Sequence, residues 1–158
     1  MPRWFALSLF AVFFAAGPVN TVAQSQDAEE QAIRRVIENA TNAINNADLT
    51  MLLAQIAEDA LIDSKIARAK VTKQKYAEVM AAAFRTLDLI GMEAHDIKVT
   101  TRNPTRATVL ATIYPMKRAQ RFTYQHEWAL EKRDGRWLIV ETTYKARVLE
   151  PVEPLAVA

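Results

Sequence analysis

The chain reads as an α+β fold, with three N-terminal helices lying on the concave side of a cone-shaped, curled antiparallel sheet. Three observations lead there. Apolar residues recur at helical spacing through the first half of the chain, and extended, aromatic-rich runs fill the second. The longest run, RFTYQHEWALEKRDGRWLIVETTYKAR over Arg121–Arg147, is broken once, at Asp134-Gly135, a pair that supplies the positive φ of a tight hairpin. Its arms of about 12 residues span about 40 Å, and strands that long twist and need a cover on one face.

The 158 residues suffice for one domain with a real core, and 51% hydrophobic with 24% charged residues is ordinary globular composition. A net charge of +2 without a clustered basic footprint argues against nucleic-acid binding. Without cysteine there is neither a disulfide framework nor a cysteine-based metal site. The spacing of His, Asp and Glu shows no converging ligand set, so no metal is expected. Only three glycines occur, so no Gly-rich phosphate loop exists and no nucleotide cofactor is expected.

Met1–Ala23 reads as a secretory signal. Arg3 precedes the uncharged run Ala6–Ala16, Gly17-Pro18 breaks it, and Thr21-Val22-Ala23 offers small residues for cleavage after Ala23. That run falls short of the roughly 20 residues a membrane span needs. The mature chain is then periplasmic or secreted, without membrane contact; a retained anchor is the alternative.

Ser25–Asn46 is the first helix, with Ile33, Val36, Ile37, Ala40 and Ile44 on one face and Glu29, Glu30, Arg34, Arg35 and Glu38 mostly on the other. Asp48 caps a short second helix running from Leu49 to about Ala57, and Ala60–Asp63 enters the core as a strand. The basic stretch Lys65–Lys75 reads as a solvated connection, and Thr72 caps a third helix, Lys73 to about Leu89. Tyr76, Val79, Met80, Ala83, Phe84 and Leu87 form the apolar stripe of that helix, and Gly91 ends it. Glu93–Thr101 and Arg106–Tyr114 are strands joined by a turn at Asn103-Pro104-Thr105, with Pro115 marking a bulge or strand end. The Pro-containing tail, Val148–Ala158, reads as loosely attached.

Two stretches carry a resemblance. NADLTMLLAQIAEDALID over Asn46–Asp63 and WALEKRDGRWLIV over Trp128–Val140 resemble the helix–helix–strand segment and terminal hairpin of the nuclear transport factor 2-like superfamily. That superfamily includes ketosteroid isomerases and SnoaL-like cyclases, and the likeness covers about Asp27–Arg147. It implies a cone with a pocket at its mouth, and a homodimer formed through the outer face of the sheet. Aligning the isomerase site puts Ala40 at its helix tyrosine, Ser64 at its catalytic base with Asp63 one position earlier, and Gln125 or His126 near its second aspartate. None of these matches the expected residue type.

In the long hairpin Phe122, Tyr124, His126, Trp128 and Leu130 share one face, assigned to the interior. With a two-residue turn Lys132 pairs with Trp137, Trp128 faces Glu141 and His126 faces Thr143. With a three-residue loop His126 faces Thr142 and Tyr124 faces Tyr144. Asp63 and His126 are the candidate acid–base pair, and Tyr124, Trp128, Phe84 and Tyr76 the candidate pocket lining. Equally, His126 hydrogen-bonds within a packed sheet, and Asp63 caps a helix or accepts from backbone. Three functions follow. One is an exported protein binding a small apolar or aromatic ligand. Another is an isomerase, cyclase or dehydratase using Asp63 and His126. The third is a homodimeric module with Ala129, Leu138 and Val140 on its contact face.

Overall fold

In a computed structural model, which describes residues 19–85, 91–115 and 123–148, local sequence chemistry places each helix. The first, α1 (Val19–Asn45), buries Ile33, Val36, Ile37, Ala40 and Ala43, the stripe set by its period. Its opposite side is less solvated than the charge pattern implies. Glu29 and Arg34 both reach back to the sheet, and Arg34 Nη1 donates to the Ile97 carbonyl at 3.0 Å. At its end the Asn45 side chain imitates a strand partner, accepting from Met92 N–H at 2.8 Å and donating to Met92 O at 3.1 Å.

Asp48 caps α2 (Leu49–Ala54) by accepting from Met51 N–H at 2.8 Å. This helix stops three residues before the expected end, because Ile56 opens β1 (Ile56–Ser64). Ile56 pairs with Ile139, and Ile139 N–H donates to Gln55 O at 2.9 Å, so sheet pairing wins over another helical turn. The basic connection also holds an unexpected strand, β2 (Ala69–Thr72), antiparallel to β1 from Leu61↔Thr72 to Ser64↔Ala69. It is short and mostly exposed, so no hydrophobic alternation betrays it. Thr72 then accepts from Lys75 N–H at 3.3 Å at the start of α3 (Lys73–Arg85). Met80 is buried on α3, with Tyr76 and Phe84 packed against the core.

The chain then runs through β3 (Met92–Asn103), β4 (Arg106–Pro115), β5 (Thr123–Arg133) and β6 (Arg136–Val148). All six strands form one sheet in the order β2-β1-β6-β5-β4-β3. The sheet is mixed rather than antiparallel: β1 lies parallel to β6, which brings the first of the described strands against the last. Pro115 stands at the end of β4, opposite Met92, where its missing N–H costs least. One sheet face carries Val109, Ile113, Trp128, Leu130, Trp137 and Ile139 against α1 and its neighbours, each no more than 6% exposed. Burying a side chain of that size contributes about 1.5–3 kcal/mol. On the other face Ala129, Leu138 and Val140 are half-buried.

The hairpin corrects both expected registers. Asp134 and Gly135 have φ of 50° and 77°, the two-residue turn with both residues left-handed, and Lys132 pairs with Trp137 as that turn requires. The register then shifts twice, past Val140 and past Lys145. Trp128 therefore faces Thr142 instead of Glu141, His126 faces Tyr144 instead of Thr143 or Thr142, and Tyr124 faces Arg147 instead of Tyr144. Each shift inserts one residue on β6, as a β-bulge does, and the first reverses which side chains look inward. The apolar leader run, Leu87, Leu89, Phe122 and the tail beyond Val148 lie outside the described residues.

Candidate functional site

A cavity of about 60 Å³ lies where the three helices meet β1, β5 and β6. It has room for about four or five waters, hence for a small molecule. Its helical wall includes Ala40 and Ile44 from α1 and Tyr76 from α3. The sheet supplies Asp63, His126, Trp128, Thr142 and Tyr144.

Alternation along β5 turns Tyr124, His126, Trp128 and Leu130 inward, the face assigned from sequence. On β6 the first bulge does equivalent work. Trp137 and Ile139 are buried, and past Val140 it is Thr142 that is buried and Tyr144 that joins the wall. Glu141 is sent to the exposed side, where it pairs with Lys70.

His126 is 6% exposed. Its ring stacks on Trp128 with centroids 4.3 Å apart and planes at 18°, and Tyr144 meets it edge-on at 4.5 Å. Among the described residues neither ring nitrogen has a hydrogen-bond partner, so the reading in which it hydrogen-bonds within the sheet does not describe this structure. Burial, aided by the nearby charge of Lys65, pushes the imidazole down to about 3. At neutral pH the ring is uncharged, offering one N–H donor and one acceptor. An unsatisfied buried polar group costs about 1–3 kcal/mol, so the fold carries this residue at a loss.

Asp63 lines the same cavity, but it is not hydrogen-bonded to His126. Its main-chain N–H donates to Thr142 Oγ1 at 2.9 Å, and its carboxylate accepts from Tyr144 N–H at 3.3 Å. Asp63 thus stitches β1 to the bulged part of β6, as its backbone-accepting alternative anticipates. Ser64, at the isomerase base position, is buried outside this wall and accepts from Ala67 N–H at 3.1 Å. Tyr76 and Trp128 stand in the wall, whereas Phe84 packs against the core elsewhere.

Tyr124 sits behind the wall, its ring 5.1 Å from that of Tyr144. Burial raises its hydroxyl to about 12, and raises Tyr144 and Tyr76 further. Lys65 completes the group, with Nζ 3.0 Å from the Tyr124 ring centroid and 4.4 Å from that of Tyr144. Sequence reasoning missed Thr142 and Lys65 as site residues and knew Tyr144 only as a possible partner of Tyr124. Two adjacent threonines give no hint which faces inward beyond a bulge, and Lys65 belongs to a turn that looked merely solvated.

Element order, mixed sheet and helical cover together define the nuclear transport factor 2-like fold, and this chain has it. No family model and no curated protein matches the sequence, whereas many solved structures match the fold. A candidate scytalone dehydratase from Novosphingobium aromaticivorans superposes with a TM-score of 0.65 at 17% identity, over 86% of this chain and 99% of that one. An NTF2-like protein of unknown function from Pseudomonas putida gives 0.68 at 17% identity, covering 76% and 87%. A cystatin-like-fold protein of unknown function from Nostoc punctiforme gives 0.63 at 14% identity, covering 80% and 94%. At such identities the likeness concerns the fold.

Proposed function

We propose that this protein is an exported binding protein that holds a small, largely apolar or aromatic molecule in the cavity beside His126 and Trp128. The observation that carries this reading is His126 itself: a buried, neutral imidazole with two unpaired nitrogens, set in the wall of an apolar cavity. Groups left unsatisfied at such a cost commonly serve a ligand. The cavity accepts a guest of about five heavy atoms, and a larger ring has to part Tyr144 from its neighbours. Export rests on the leader read over Met1–Ala23.

The test is a thermal-shift screen of small neutral ring compounds against the protein and its His126→Phe variant. A ligand at a hundred times its Kd stabilises by about 2.7 kcal/mol, which is easily seen as a raised Tm. Hits that vanish in the variant support the reading; a screen without hits, or hits indifferent to His126, would sink it.

An enzyme of isomerase, cyclase or dehydratase type is the second reading, favoured because Asp63 and His126 line one cavity and one structural neighbour is a candidate dehydratase. A neutral imidazole polarises a carbonyl or hydroxyl by donating its N–H, while a carboxylate takes the proton. A turnover unchanged by Asp63→Asn, on any substrate found, removes Asp63 from that role. The half-buried Ala129, Leu138 and Val140 suit a homodimer contact alongside either reading.

A further inference from the structure

Three aromatic rings stand in the cavity wall and a fourth lies behind it. Tyr76, Trp128 and Tyr144 stand in its wall, and Tyr124 backs Tyr144 at 5.1 Å. Asp63 contributes a carboxylate to the same wall. Aromatic ring faces beside a carboxylate are the chemistry that binds organic cations, because the negative face of each ring attracts an ammonium group. Here those faces already hold one. Lys65, an exposed residue of the β1–β2 turn, sets its ammonium over Tyr124, behind the wall, and at greater distance over Tyr144, which stands in it.

Resting on the ligand-binding reading above, we propose that Lys65 determines the specificity of this cavity: its ammonium, seated on Tyr124 and Tyr144 beside the wall, opposes a second positive charge and leaves the cavity to neutral molecules. Three observations converge on it. A guest cation meets, in Tyr144, a ring already engaged by Lys65, and meets like charge from that ammonium, the same charge that helps keep His126 unprotonated. A guest anion meets the Asp63 carboxylate in the wall, while the Lys65 ammonium lies over Tyr124 and does not line the cavity. A neutral guest meets apolar walls and an uncharged imidazole that donates one hydrogen bond and accepts another.

A matched pair of probes tests this. Tert-butyl alcohol and tetramethylammonium have nearly the same size and shape and differ in charge. Each is titrated into the full chain at pH 7 while the Trp128 indole resonance is followed by NMR, for the wild type, Lys65→Met and Lys65→Arg. Methionine keeps an apolar stem and removes the charge, whereas arginine keeps a cation that stacks on aromatic faces.

In the wild type the alcohol shifts Trp128, and tetramethylammonium binds at least about tenfold more weakly, the size of one desolvated cation–π contact. In Lys65→Met the ammonium compound gains about tenfold while the alcohol stays within about threefold, and Lys65→Arg behaves as the wild type. Equal binding of both probes by the wild type overturns the inference but leaves the ligand-binding reading standing, as does a Lys65→Met variant that still excludes the cation. If neither probe moves Trp128 in any protein, the ligand-binding reading falls and this inference with it. Should Lys65→Met fail to fold, the wild-type preference decides alone.

Discussion

The two ends of the β5–β6 hairpin treat polar side chains in opposite ways. Near the turn, the Glu29 carboxylate from α1 accepts from Lys132 Nζ at 2.6 Å and from Trp137 Nε1 at 2.7 Å. The Lys132 hydrogen bond, with that of Trp137 after it, holds Glu29 below the usual carboxylate range. Among the described residues no buried side-chain donor or acceptor at this end lacks a partner. Beyond the Val140 bulge the same two strands carry His126, enclosed by Trp128 and Tyr144 with neither nitrogen paired. Satisfied polar contacts anchor a helix to a sheet, whereas unsatisfied ones lower stability and persist where something else requires them. The difference separates the anchored end of this hairpin from the end where the proposed ligand site lies.

The largest effect that can break this comparison is at the anchored end. Trp137 is 5% exposed, and Trp137→Ala removes a buried ring and the Glu29 contact together. A loss of about 3–5 kcal/mol is expected in urea unfolding. A loss below about 1 kcal/mol would show that the turn end is not the anchor.

At the other end the sign reverses. His126→Phe keeps a stacked ring and removes two unpaired nitrogens, so it should stabilise by about 1–3 kcal/mol at pH 7. The pH dependence sharpens the contrast. His126 is depressed from 6.5 to about 3 in the folded state, so below pH 6.5 the unfolded chain binds the proton more readily. The native state is fully favoured above pH 6.5 and loses on the order of 3 kcal/mol as pH falls from 7 to 4. Glu29 contributes in the same direction at the acid end, so the measurement is the difference between wild type and His126→Phe. The gap between their unfolding free energies should widen steadily from pH 7 to 4. Parallel curves would mean that His126 is protonated, or hydrated, in the native protein.

That contrast also marks what could be read from the residues. Helix faces, the Asp48 and Thr72 caps, the Asp134-Gly135 turn and the inward set Tyr124, His126, Trp128 and Leu130 were all legible, because each rests on a local period or a local hydrogen bond. β2 was not, being short and without an apolar face. Nor was the parallel pairing of β1 with β6, which joins residues far apart in sequence. The bulges mattered most. A single inserted residue at Val140 exchanges Glu141 for Thr142 on the inner face, and nothing in VETTY announces it. The site was therefore half visible: β5 contributes what its alternation promised, and β6 contributes what only the register could decide.

The smallest effect concerns whether the two ends are independent. Gly135 has φ of +77°, and a Cβ built there meets nothing within 4 Å, so Gly135→Ala is strained by conformation alone. A left-handed alanine costs about 1–2 kcal/mol, partly offset by the lower entropy of the unfolded chain, for a net loss of about 1 kcal/mol. The cavity end should not register it. Past Val140, β6 is held by the Asp63 carboxylate on Tyr144 N–H and by Thr142 Oγ1 on Asp63 N–H, contacts that do not pass through the turn. Gly135→Ala should therefore lower the urea midpoint slightly and leave the Trp128 titration with tert-butyl alcohol unchanged. A shifted titration would mean that the turn sets the register of the whole hairpin, and that the bulges follow from it rather than from β1.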